Sequence, residues 1–233
     1  MELAGKKVVI TGVSRGIGNA LVHQFLAKGC KVGGMGINDP KIDNPNFSFY
    51  RTNIRKSTEV DASFKSFFEE SGNEIDVLVN NAGLGSFGAV ETYSDEQIAN
   101  MFETNVYGTL YTCRQAVPIM KSQQSGHIIN IASTAGLEGY PEVSVYCGTK
   151  HAVKAISESM YKELREFAVK VTCVYPGSVK TDFFNDIEAI TAHDYMLMPS
   201  DVAKMIVQAT ETHPNFHQVN LEVRPLQPKG PRK

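Results

Sequence analysis

Short, nearly unbroken apolar runs alternate along the chain with longer stretches in which apolar residues recur every three or four positions. The runs read as strands: KVVIT from Lys7, KVGGMG from Lys31, FSFYR from Phe47, IDVLVN from Ile75, HIINIA from His127, KVTCVY from Lys170 and QVNLEV from Gln218. The longer stretches predict helices over 16–28, 56–71, 94–121, 143–168 and 199–211, the third of them broken or bent around Gly108. Ser94, followed by Asp95 and Glu96, supplies a cap and acids near the positive end of that third helix. Strands separated by helices of this length require crossover connections and therefore a parallel sheet. The strands alternate little between apolar and polar, as expected where helices cover both faces. The pattern predicts an α/β protein with a doubly wound parallel sheet of about seven strands.

With 233 residues, no internal repeat and no Pro/Gly/Ser-rich linker, the chain reads as a single domain spanning 1–233. Residues 177–198 hold no clear element, and a stretch of that length inside a compact domain suggests a lid. The tail PLQPKGPRK, 225–233, cannot add a strand and reads as a loose terminus.

Charge narrows the partners. The formal net charge is −2 with no extended basic stripe, which argues against nucleic acid. Cys30, Cys113, Cys147 and Cys173 lack metal-ligand spacing and the six histidines are dispersed, so no metal site is expected. Cysteines in apolar surroundings fit reduced thiols and a cytoplasmic protein. The N-terminus runs straight into an apolar strand without a signal-peptide pattern, and no apolar run approaches the ~18 residues that span a bilayer.

Two features carry chemistry. Thr11-Gly12-Val13-Ser14-Arg15-Gly16-Ile17-Gly18 joins the first strand to the first helix, where glycines permit a tight turn and close approach of a pyrophosphate to the helix N-terminus. The G-x-x-x-G-x-G spacing matches neither the common G-x-G-x-x-G fingerprint nor a P-loop. Tyr146 and Lys150 lie one helical turn apart, so an ammonium stands beside a phenol and would lower its pKa toward working pH.

Together with Asn80-Asn81-Ala82-Gly83 after the fourth strand, Asn105, Ser133 before Tyr-x-x-x-Lys, and Pro176-Gly177-Ser178-Val179-Lys180-Thr181, these motifs resemble the short-chain dehydrogenase/reductase family over nearly the whole chain and in the same order. The resemblance implies a Rossmann-type fold and hydride transfer between a nicotinamide cofactor and a carbonyl or alcohol. It implies a catalytic set of Asn105, Ser133, Tyr146 and Lys150. Tyr146 would be the general acid/base, Ser133 would hold the reacting oxygen, Lys150 would also hold the nicotinamide ribose, and Asn105 would complete a proton relay. The cofactor would contact Gly12, Ser14, Arg15, Gly16, Ile17, Gly18, Asn38, Asn53, Ile54, Asn81, Ala82, Gly83, Tyr146, Lys150, Pro176, Gly177, Val179 and Thr181. A homodimer or homotetramer is expected on the same ground.

Two departures matter. Gly36 stands where NAD-dependent relatives carry an acid for the ribose 2′-hydroxyl, and Ile37 stands where NADP-dependent ones often carry Arg. Arg15 and Asn38 can face a 2′-phosphate while Asp39 argues the other way, so NADP(H) is favoured over NAD(H). Asn53 replaces an Asp that contacts adenine, and its side-chain oxygen can accept the same bond. Leu84, Ala135, Leu137, Tyr140, Phe183, Phe184, Tyr195 and Met196 are candidates for the substrate pocket, with Asp186, Glu188 and His193 on the lid. A silent nucleotide-binding regulator on this fold would be expected to lack Tyr146 or Lys150. A non-redox relative such as a halohydrin lyase would be expected to lack the glycine turn.

Overall fold

The computed structural model describes residues 2–181, 183 and 193–228. Its strands are β1 (Lys7–Thr11), β2 (Lys31–Gly36), β3 (Phe47–Arg51), β4 (Val77–Asn80), β5 (Gly126–Ile131), β6 (Val169–Pro176) and β7 (Asn220–Val223). They form one seven-stranded sheet in the order β3-β2-β1-β4-β5-β6-β7, every neighbouring pair parallel. The helices are α1 (Gly16–Ala27), α2 (Ser57–Ser71), α3 (Asp95–Phe102), α4 (Gly108–Gln123), α5 (Ser144–Leu164) and α6 (Pro199–Thr210).

Successive residues of a strand point to opposite faces, and here both faces are apolar. Val8 and Ile10 of β1 pack with Leu21, Val22 and Phe25 of α1 and with Val202 and Ile206 of α6. Val9, between them, packs on the other face with Phe64 of α2, Met120 of α4 and Leu164 of α5. This is why the strands read as continuous apolar runs. Winding reverses between β1 and β4, and the crevice outside their carboxyl ends is where ligands bind in such sheets.

The predicted third helix is two helices. A capping box starts α3: Ser94 Oγ accepts from Gln97 N–H at 3.2 Å, and Gln97 Oε1 accepts from Ser94 N–H at 2.9 Å. The bend expected at Gly108 takes the form of one π-helical turn, Glu103–Tyr107, immediately before α4.

Behind the crevice runs a buried polar chain. Thr112 Oγ1 donates to Asn80 Oδ1 (2.6 Å), Asn80 Nδ2 to Asn130 Oδ1 (2.9 Å), Asn130 Nδ2 to Ser157 Oγ (2.9 Å), and Ser157 Oγ to the Val153 carbonyl (2.7 Å). These donors and acceptors are matched inside the protein, which removes the penalty of burying them and links α4, β4, β5 and α5.

At the opposite end of the sheet lies His127, the second residue of β5, fully buried. Thr172 Oγ1 donates to the Gln218 carbonyl (2.6 Å) and so accepts from His127 Nε2–H (2.8 Å), leaving His127 Nδ1 buried without a hydrogen-bond partner. Burial, reinforced by the charges of His217 and Lys170, pushes the His127 pKa from 6.5 down to about 3. Below about 6.5 the unfolded chain takes up a proton at this position that the folded protein refuses. Stability associated with the neutral ring is therefore complete above that pH and is lost as pH falls toward 3. The loss is about 2 kcal/mol by pH 5. His127→Gln removes the titration, so the drop in Tm between pH 7.5 and pH 5 is expected to be smaller than in the wild type by about 4–8 °C. Equal drops in the two proteins would exclude His127 as the cause.

Candidate active site

β1 ends in the glycine turn. Gly12 and Gly16 have φ of 71° and 60°, values that side chains other than hydrogen resist. A Cβ on Gly12 would stand 2.8 Å from Ala82 Cα, and one on Gly18 would stand 2.1 Å from the Gly12 carbonyl oxygen. The turn is thus pressed between α1 and the loop after β4. Hydrogen bonds complete the clamp: Thr11 Oγ1 accepts from Asn81 and Ala82 N–H, both at 3.0 Å, and Asn81 Nδ2 donates to the Thr11 and Gly12 carbonyls at 3.0 and 3.1 Å. Asn81, predicted to contact cofactor, spends its side-chain amide on holding the two turns together. Arg15 caps α1 in an extended conformation without a side-chain cap bond, and the first turn holds no acid. Its leading N–H groups and positive dipole end therefore favour an anion, and Gly16 and Ile17 line the groove.

The adenosine end is bounded by β2 and β3. A Cβ at Gly36 would meet nothing closer than 3.8 Å, so the missing acid reflects sequence and not space. Asp39, although it borders the groove, accepts from Lys41 N–H (2.8 Å) and ion-pairs with Lys41 Nζ (3.3 Å). The Lys41 backbone bond, more than the ammonium, holds its carboxyl below the usual range. The sequence reading expects an acceptor at Asn53 aimed at adenine, and Asn53 lines the groove. Its Oδ1 folds back to accept from Arg55 N–H (3.2 Å) and Nε (3.4 Å), while its own N–H donates to Glu59 (2.8 Å). Arg55 lines the groove and also bonds Asn100. Strand register sets Arg51 beside Gly36.

Ser133 follows β5 after one intervening residue, Ala132, and its Oγ caps the short turn Thr134–Gly136 by accepting from Ala135 N–H at 3.1 Å. α5 carries Tyr146 and Lys150 on one face, both buried. The expectation that Lys150 lowers the phenol pKa is corrected. Burial pushes the Tyr146 phenol above its usual range, with a Ser133 hydrogen bond opposing. Lys150 Nζ donates to the Ile131 carbonyl at 2.8 Å and sits 5.6 Å from the Tyr146 ring centroid. Desolvation lowers the ammonium itself to about 8. Gly136 brings the turn onto α5: a Cβ there would stand 2.7 Å from the Lys150 carbonyl oxygen.

Asn105 lies in the π-helical turn, fully buried. Its Oδ1 accepts from Leu84 N–H (2.8 Å), and its Nδ2 donates to the Leu84 carbonyl (2.8 Å) and to Thr149 Oγ1 (2.9 Å). Both amide protons are committed, so the side chain fixes the loop after β4 against α5.

At the other end, Thr181 Cγ2 would lie 3.2 Å from a Cβ on Gly16, so the segment after β6 abuts the glycine turn. The ends of the predicted lid are stitched together: Leu197 N–H donates to the Ser178 carbonyl (2.9 Å) and Lys180 N–H to the Leu197 carbonyl (2.8 Å). The resulting groove has a volume of about 1260 Å³. Gly12, Ser14, Arg15, Asn38, Asn53, Ile54, Asn81, Ala82, Gly83, Ser133, Tyr146, Lys150, Pro176, Gly177, Val179 and Thr181 all line it. Gly18 and Asn105 stand behind its wall. Of the pocket candidates, Leu84, Ala135, Tyr140 and Phe183 line the groove and Leu137, Tyr195 and Met196 do not. Phe184, Asp186 and Glu188 lie outside the described residues. The lining residues that escaped the sequence reading include Phe87, Arg224, Pro225 and Pro228. Phe87 stacks on Tyr146 with centroids 6.1 Å apart and an interplanar angle of 29°.

A glycine turn at a helix N-terminus and a buried Ser–Tyr–Lys set at the carboxyl ends of one doubly wound sheet define a dinucleotide-dependent dehydrogenase. The short chain dehydrogenase family profile matches residues 6–191, and the chain belongs to that family as an oxidoreductase. It is 35% identical over 237 aligned residues, 96% of this chain and 99% of the relative, to an uncharacterized oxidoreductase of Staphylococcus aureus (strain MRSA252). The closed form of a serine dehydrogenase complexed with NADP+ superposes with a TM-score of 0.89 at 30% identity, covering 95% of both chains. A 3-ketoacyl-(acyl-carrier-protein) reductase from Brucella melitensis complexed with NADH has the same fold, with a TM-score of 0.86 at 24% identity over 97% of this chain and 99% of that one.

Proposed function

We propose that the enzyme interconverts a carbonyl compound and its alcohol using NADP(H), with Tyr146 as the proton donor and acceptor. The observation that carries this reading is the buried Ser133–Tyr146–Lys150 set in the same groove as the glycine turn. Gly12–Gly18, Ala82, Gly83, Val179 and Thr181 would hold the dinucleotide, and Lys150 its ribose. When bound, the reduced cofactor supplies the hydride that adds to the carbonyl carbon. Ser133 Oγ orients the carbonyl oxygen, and that oxygen takes its proton from Tyr146 Oη. Burial favours the neutral phenol, the form that donates to the carbonyl oxygen.

NADP(H) is favoured because Gly36 offers no acid, Asp39 is drawn to Lys41, and Arg15 and Arg51 stand at the ribose end. The serine dehydrogenase relative was solved with NADP+. Titration of cofactor fluorescence, with no tryptophan to interfere, is expected to give NADPH binding about tenfold or more tighter than NADH. Equal affinities would reject the preference. Gly36→Asp has room for its side chain and is expected to shift the NADPH/NADH affinity ratio toward NADH by about 10–100-fold, as it adds a ribose acceptor and repels a 2′-phosphate. An unchanged ratio would place the 2′-position elsewhere. The exposed Tyr107 and Leu110 beside and on α4 support the expected homo-oligomer.

A further inference from the structure

The substrate half of the groove combines apolar walls with basic groups that are already neutralised. Phe87 stacks on one side of Tyr146, and Phe183 lies 5.7 Å from the Tyr146 centroid at 52°. Leu84, Val143, Pro225 and Pro228 extend this surface, the last two from the chain segment that follows β7. That segment is held in place. Gly177 N–H donates to the Val223 carbonyl at 2.7 Å, and Arg224 reaches across 86 residues of sequence to Glu138 at 2.9 Å.

Charge decides what can enter. Besides Lys150, whose ammonium is turned to the Ile131 carbonyl, two basic side chains flank this half among the described residues. Lys180 is paired with Asp194 at 2.6 Å, and Arg224 is paired with both Glu138 and Glu222, at 2.9 and 2.5 Å. Glu138 also accepts from Tyr140 Oη at 2.5 Å. Glu142 lines the rim, and no basic side chain pairs with it among the described residues. Among the described residues the surplus at this mouth is acidic, so an anionic substrate would lose its hydration and meet no open cation.

We propose that the substrate half accepts an uncharged carbonyl compound bearing a planar apolar ring, of the aryl ketone or aryl aldehyde class, and discriminates against carboxylate-bearing carbonyls. Phe87 and Phe183 supply ring contacts, and the Glu138–Arg224 pair denies the guanidinium to a carboxylate. This rests on the oxidoreductase reading above and adds the substrate class.

The test uses full-length protein saturated with NADP+, which binds a ketone without turning it over. The probes are acetophenone and 4-acetylbenzoate, matched except for the carboxylate, with affinities read by calorimetry. Acetophenone is expected to bind at least tenfold tighter. Glu138→Gln combined with Glu222→Gln removes both acids paired with Arg224 and is expected to tighten 4-acetylbenzoate at least threefold. Arg224→Gln leaves Glu138 and Glu222 without their cation, is expected to weaken 4-acetylbenzoate further, and serves if the double variant fails to fold; tighter 4-acetylbenzoate binding by it would overturn the proposal. Equal or tighter binding of 4-acetylbenzoate by the wild type overturns the proposal, as does an unchanged 4-acetylbenzoate affinity in the folded double variant. Saturable cofactor binding with neither ketone bound overturns the substrate class alone. Failure to bind either nicotinamide dinucleotide overturns the underlying reading as well.

Discussion

Replacing Tyr146 by Phe is expected to lower kcat by about 10²–10⁴-fold, the usual contribution of a positioned proton donor. The effect should be confined to chemistry because the ring stays. The phenyl group of Tyr146→Phe would keep the contacts with Phe87 and Phe183, and the rest of α5 would keep its place. NADPH affinity is therefore expected within a few-fold of the wild type, read by cofactor fluorescence, while turnover of any accepted ketone collapses. Ser133 would remain, and alone it can orient an oxygen but has no proton acidic enough to give. Activity above a tenth of the wild-type value would transfer the proton-donor role to another group.

Gly18→Ala should be the most damaging single methyl in the cofactor half. The added carbon would sit 2.1 Å from the Gly12 carbonyl oxygen and 2.4 Å from Asn81 Nδ2. Neither neighbour is free to give way, since Gly12 is itself pressed on Ala82 and Asn81 Nδ2 holds the Thr11 and Gly12 carbonyls. Either α1 moves out or the clamp between the two turns breaks. Overpacking of this kind costs about 1–3 kcal/mol of stability, and displacement of the α1 N-terminus removes the aligned N–H groups offered to a phosphate. A fall in Tm together with at least a tenfold loss of NADPH affinity is expected. Gly148→Ala is the matched control: it lies in α5 with nothing within 4 Å of the new carbon, so it should be neutral or stabilise by up to about 1 kcal/mol. Similar behaviour of the two variants would remove close approach as the reason for glycine at position 18.

The features legible in sequence were those written in local periodicity. Apolar runs located the strands because each run is buried on both faces, and Ser94 announced α3 because a cap acts only three residues away. The groove's lining was legible through motifs, since glycines at 12 and 16 answer a local backbone demand. What sequence could not disclose was the choice of partner across distance. Asn81 and Asn53 look like ligand donors in one dimension, yet each finds a protein partner first. Lys150 is one turn from Tyr146, and spacing alone suggests that its charge governs the phenol. Burial of both groups reverses that outcome, and burial depends on the whole fold. The Arg224–Glu138 pair had no sequence signal at all: the segment after β7 reads as a tail, and only the placement of β7 beside β6 brings it to the groove.

His127 and Ser133 stand at opposite ends of β5, separated by a strand about 20 Å long. Tolerance of acid and the proposed carbonyl chemistry thus belong to opposite ends of one strand, and either can be altered while the other is left as it is. A biocatalyst for mildly acidic media could be sought by repacking the amino end of β5, with selection for survival at low pH, and the groove's substrate range and cofactor choice would be carried through unchanged.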